Sequence, residues 1–149
     1  MSAEFFIDTS VFIYHLDATD RRKNKTAEKI VRDALATGNA CISSQVVQEC
    51  LNVALRKAEV ALSAAAARDY LDAVLAPLMQ VTASEALYHR ALDVQARWRF
   101  SFYDSLIVAG AMTAGCRTSP PHLIRHRVVP VHDNPPNPPE PSRRRSNRF

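Results

Sequence analysis

The chain has 149 residues, 47% of them hydrophobic, and a formal net charge of +4 at pH 7, which is length and apolar content for one buried core and one domain rather than two. Its apolar runs are broken by charges well before the roughly 18 residues of a membrane span, and no basic segment leads into a long apolar stretch at the start, so it reads as unexported, cytoplasmic and without a membrane partner. Arg143, Arg144, Arg145 and Arg148 against Glu140 place a net +3 in residues 134–149, leaving about +1 for the body, so an argument for a nucleic-acid partner has to come from particular residues.

In chain order, Glu4–Ile7 carries three bulky apolar residues in succession, as suits a strand covered on both faces of a parallel sheet. Residues 10–16 continue as a short helical turn. An amphipathic helix follows from Arg21, with Ala27, Ile30, Val31, Ala34 and Leu35 at i, i+3, i+4, i+7 and i+8 and Gly38 at its C-terminus. Ala40–Ser43 is a second strand, after which Ser43 or Ser44 caps a helix over 45–58. An alanine-rich helix spans about 63–76, and 77–82 reads as the third strand. Ser84 then caps a helix from Glu85 to about Arg97, and Ser101 caps another from Phe102 to Ala114, before Gly115. This βααβααβαα order predicts an α/β fold with a parallel sheet.

The chain holds three glycines, and no glycine-rich phosphate loop is present. Cys41, Cys50 and Cys116 lack metal-type spacing and sit in apolar settings, which makes them reduced, buried thiols. Beyond Arg117 the composition changes, since eight of the nine prolines lie in 118–149. Residues 134–149 read as a disordered Pro/Arg-rich tail, and Pro130 demotes the possible strand 127–133 to a sheet edge.

Three acids stand where the strands give way to helices. Asp8 ends the first strand, at the sheet edge where open α/β folds bind ligands; taken alone it reads as a helix cap. Glu49 lies in the first turns after the second strand, although Gln45, Gln48, Glu49 and Asn52 would equally form a solvated polar stripe. Asp104 has the Ser101-x-x-Asp104 spacing of a capping box, yet Phe102, Tyr103, Leu106, Ile107 and Val108 suggest a helix buried nearly all round, with this acid at the same edge as Asp8. Three converging carboxylates would repel one another unless a cation lay between them, and an oxygen-only donor set suits Mg²⁺ or Mn²⁺ and phosphodiester hydrolysis.

Together the stretches around Asp8-Thr9-Ser10, Gln48-Glu49 and Tyr103-Asp104-Ser105-Leu106-Ile107-Val108-Ala109 resemble the PIN-domain family, in particular the VapC-type toxins of toxin–antitoxin pairs, over residues 4–117. The resemblance implies a three-layer α/β fold with a short central parallel sheet flanked by helices. It also implies a Mg²⁺- or Mn²⁺-dependent endoribonuclease, usually a homodimer, held inactive by a cognate antitoxin. The family's acids fall on Asp8, Glu49 and Asp104, and its small hydroxyl residue on Thr9.

The family's fourth acid is missing from its expected place after the late helix. Either Asp133, at the end of 127–133, replaces it from a displaced strand in a PIN-like domain over 1–133, or the metal site has lost one ligand and the sheet one or two of its closing strands. A change of reading frame near residue 118 would account for the altered ending. Arg97 and Arg99 beside Trp98, with Arg21, Arg22, Lys23, Lys25 and Arg90, are candidates for RNA contact, although a solvated helix face accounts for most of them. The competing functions are a catalytically impaired PIN-like module that binds antitoxin or RNA, and a receiver-like signalling domain. The latter is disfavoured because neither middle strand ends in Asp.

Overall fold

The computed structural model describes residues 3–57 and 60–116. The chain runs β1 (Phe5–Phe6), α1 (Thr9–Leu16), α2 (Arg21–Thr37), β2 (Ala40–Ser43) and α3 (Ser44–Arg56). It continues through α4 (Ala64–Tyr70), a π-helical turn (Leu71–Leu75), α5 (Ala76–Leu78), β3 (Met79–Val81), α6 (Glu85–Trp98) and α7 (Phe102–Thr113). The expected α/β architecture, a short parallel sheet flanked by helices, is borne out. β1 and β3 both pair with β2 in parallel, Phe5 opposite Ala40 and Ile42 opposite Met79.

Serines and aspartates start the helices as their positions predict. Asp20 accepts from Arg22 N and Lys23 N at α2, while Ser43, Ser63, Ser84 and Ser101 each accept from a backbone N–H in the first turn of the following helix. At the other end of α2, Gly38 takes φ 66, a left-handed conformation that glycine adopts without a Cβ penalty.

The core forms around the sheet. Ile7, Val11 and Phe12 meet Ile42, Val46 and Leu75 in the larger cluster. Val81, Leu87, Ala91, Leu106 and Ala109 form a smaller one between β3, α6 and α7. Among the described residues no helix is long and apolar enough to cross a membrane.

Three expectations are corrected. The alanine-rich helix does not stop at Ala76, and Pro77 and Leu78 are helical rather than the start of a strand. The Ala76 N–H reaches back to the Leu71 carbonyl in the widened π turn, so Pro77 enters at the opening of a new short helix, where its missing N–H costs no helical bond. Leu35 is 37% exposed; the buried stripe of α2 is Ala27, Val31 and Ala34, a face too narrow to reach Leu35. The first turn of α7 is likewise not buried all round, with Phe102 39% and Tyr103 66% exposed; the buried part of this helix begins at Ser105. Asp133, strand 127–133 and the tail 134–149 lie outside the described residues.

Candidate active site

The carboxyl edge of a parallel sheet is where strand ends hand over to helix starts, and here β1 and β2 deliver α1 and α3 side by side. Asp8 is the N-cap residue of α1 but makes no side-chain capping bond; its Oδ2 accepts from Ser10 Oγ at 3.1 Å. Thr9, 6% exposed, donates its hydroxyl to Glu49 Oε2 at 2.8 Å across 40 residues of chain. Gln45, one turn earlier on α3, donates Nε2 to Glu49 Oε1 at 2.8 Å. Both oxygens of Glu49 are thereby held, which fixes the carboxylate in one orientation.

Burial lifts the Asp8 carboxyl above the ordinary aspartate range. Backbone hydrogen bonding at Thr9 and the Ser10 side chain pull it back, and the negative charge of Glu49 adds a smaller upward push. Asp8, Thr9 and Glu49 are thus one electrostatic unit.

Asp104 sits in the first turn of α7, and the capping chemistry expected for it is present. Ser101 Oγ accepts from Asp104 N at 3.1 Å and donates to Asp104 Oδ2 at 2.7 Å. Asp104 is connected to the pair through its neighbour, since Gln45 Nε2 also approaches the Tyr103 carbonyl oxygen, at 3.4 Å. The structure therefore brings Asp8, Thr9 and Glu49 together, and joins Asp104 to them by way of Gln45 and Tyr103.

The donor chemistry fits a hard divalent cation, because every candidate ligand is a carboxylate oxygen and a cation would relieve the repulsion between the partly buried Asp8 and Glu49. Among the described residues, however, no group of three or more His, Cys, Asp or Glu side chains is close enough to hold a metal ion. Two acids are paired, while the third holds a helix cap.

Arg97 and Arg99 stand at the C-terminal end of α6, both exposed. The Arg97 guanidinium lies 5.3 Å from the Trp98 ring centroid, Trp98 stacks on Phe100 at 6.4 Å, and Arg99 takes φ 60. The short link over 99–101 puts them at the end of the α6–α7 pair where Asp104 begins its helix. Arg21, Arg22, Lys23 and Lys25 are exposed on the opening turns of α2.

Gln45 is the residue that sequence reasoning passed over as part of a polar stripe. Its i, i+4 relation to Glu49 was the available signal. Its Oε1 is buried without a hydrogen-bond partner among the described residues.

No curated protein matches this chain. A family model described as PIN domain matches residues 5–124, a span that takes in Asp8, Glu49 and Asp104 and runs past α7, but ends before Asp133. The chain belongs to the PIN-domain family, whose members are in general nucleases.

Proposed function

We propose that the chain is a divalent-metal-dependent endoribonuclease, using Mg²⁺ or Mn²⁺, and the toxin of a toxin–antitoxin pair that works as a homodimer and is restrained by a cognate antitoxin. The observation that carries the nuclease reading is a partly buried Asp8 beside a Glu49 whose two oxygens are fixed by Thr9 and Gln45. The order of the three acidic motifs and their resemblance to VapC-type toxins support the toxin role.

Asp8 and Glu49 would hold the cation, and Asp104 would have to turn from its bond with Ser101 to join them. When bound, it supplies Lewis-acid stabilisation of charge on phosphate oxygens. The chain's own contribution is orientation. Thr9 and Gln45 hold Glu49 in place without a reorganisation cost during reaction, and Ser10 orients the Asp8 carboxylate beside it.

One observation favours the second reading, an impaired module that binds antitoxin or RNA: Asp104 Oδ2 is engaged by Ser101 at 2.7 Å. The deciding experiment is cleavage of labelled total cellular RNA by the purified chain with Mn²⁺ or Mg²⁺, beside EDTA and Asp8→Asn controls. Metal-dependent cuts lost in both controls are the expected outcome. Equal cutting by a folded Asp8→Asn chain would refute the site, and a folded wild-type chain that never cuts would favour the binding module.

A further inference from the structure

Beside the acid pair lies a groove of about 490 Å³, walled by Gln45 and Gln48 of α3, Tyr88 of α6, and Phe102, Tyr103 and Leu106 of α7. Its lining carries no charged side chain. Tyr88, Phe102 and Tyr103 are 44%, 39% and 66% exposed, a concentration of open aromatic surface that a core does not explain. Gln45 belongs both to this groove and to the Glu49 hydrogen-bond set, so the two sites share a wall.

We propose that this groove binds a nucleobase next to the scissile phosphate of a single-stranded RNA, with the aromatic rings as stacking platforms and the glutamine wall reading the base edge. The inference rests on the ribonuclease reading and extends it to the substrate's bases. A neutral lining does not suit a phosphate, whereas a base is neutral, planar and offers π faces to Tyr and Phe. The glutamine wall supplies the second argument. The Gln45 Nε2 is directed to Glu49 Oε1 and the Tyr103 carbonyl oxygen, which leaves Gln48, exposed on the same wall, to offer an amide donor and acceptor to a base edge. An apolar peptide helix or an apolar face of a second copy would leave that amide unmatched.

The test measures binding apart from cleavage. The full-length chain carrying Asp8→Asn, which keeps RNA intact, is titrated by fluorescence anisotropy with labelled octamers at fixed salt: oligoadenylate, and an abasic ribose-phosphate strand of equal charge. The octamer with bases is expected to bind at least about 10-fold tighter, and adding Tyr103→Ala or Tyr88→Ala is expected to weaken it about 5- to 100-fold while leaving the abasic strand unchanged. Both tyrosines are exposed, and circular dichroism and melting verify that the variants fold.

Equal binding of the two strands, or an equal loss for both in the tyrosine variants, overturns the groove while metal-dependent cleavage by the wild type leaves the nuclease reading standing. Binding of neither strand, together with no cleavage, overturns both. A switch from dimer to monomer in sedimentation, with base preference untouched, overturns the inference in favour of a second copy in the groove.

Discussion

Thr9→Val removes one hydroxyl from the centre of the proposed site and changes little else, since the two side chains are close in size and Thr9 is buried. The bond lost is the 2.8 Å donation to Glu49 Oε2. A hydrogen bond to a charged group contributes about 1.5–3 kcal/mol, but Glu49 is half-buried and keeps Gln45 on its other oxygen. A loss of about 1–2 kcal/mol is therefore expected, a fall of roughly 3–8 °C in melting midpoint for a domain of this size. Because the valine methyl recovers some burial energy, the quantity to measure is the coupling. Thr9→Val, Glu49→Ala and the double variant are unfolded in urea, and a coupling of about 1–2 kcal/mol is expected. The like-charge push of Glu49 on Asp8 vanishes in both arms that carry Glu49→Ala, so it cancels. Additivity of the single effects to within about 0.3 kcal/mol would show that the Thr9–Glu49 contact does not join α1 to α3, and the reasoning would be wrong.

Gly110 lies within α7 against β1 and β2, and a Cβ there would meet the Phe6 ring at 3.4 and 3.5 Å and Ser43 Cβ at 3.7 Å, ordinary contact distances. Gly110→Ala is thus expected to raise stability by up to about 1 kcal/mol through helix propensity, whereas Gly110→Ile drives into Phe6 and costs about 1–3 kcal/mol; a lowered midpoint for the alanine variant would refute this packing. His15 Nδ1 shares a 2.8 Å hydrogen bond with the Tyr70 hydroxyl, and burial lowers its pKa below the ordinary histidine value against a weaker upward pull from Glu28. The unfolded chain then binds the proton more readily, so stability from this site is complete above about pH 6.5 and declines as pH falls from there through the folded pKa. Titration of the His15 ring protons by NMR with a midpoint at or above the free value would contradict it. Cys41, Cys50 and Cys116 are buried and reduced, and desolvation pushes Cys50 up to about 11. A thiol reagent at pH 8 is expected to react only as fast as the chain opens; rapid labelling of the native protein would count against that burial.

Much of the fold was legible because its signals are local. The α2 periodicity and Gly38, the serines before α3, α4, α6 and α7, and the run of Phe5 to Ile7 each declare an element within a few residues, through capping geometry and side-chain spacing. The boundary at Pro77 was misplaced because proline ordinarily marks a break, and only the π turn upstream lets it open a helix. Phe102 and Tyr103 looked like core because apolar character reports a preference for burial and carries no record of whether another element is there to cover it.

The candidate site divides in the same way. Asp8, Glu49 and Asp104 could be singled out from the sequence, since each stands where a helix begins or has just begun, and their order carried the family resemblance. The Ser101 cap on Asp104 was legible too, from its spacing; that Thr9 reaches Glu49 across 40 residues and that Gln45 ties Glu49 to the Tyr103 backbone were decided only in the folded chain. By itself the sequence determined the succession of strands and helices, the acids at their junctions and the PIN-like pattern they make. The tertiary structure alone decided which acids meet and which aromatics stay open, because those outcomes depend on how parallel strands align helix starts that are far apart in the chain.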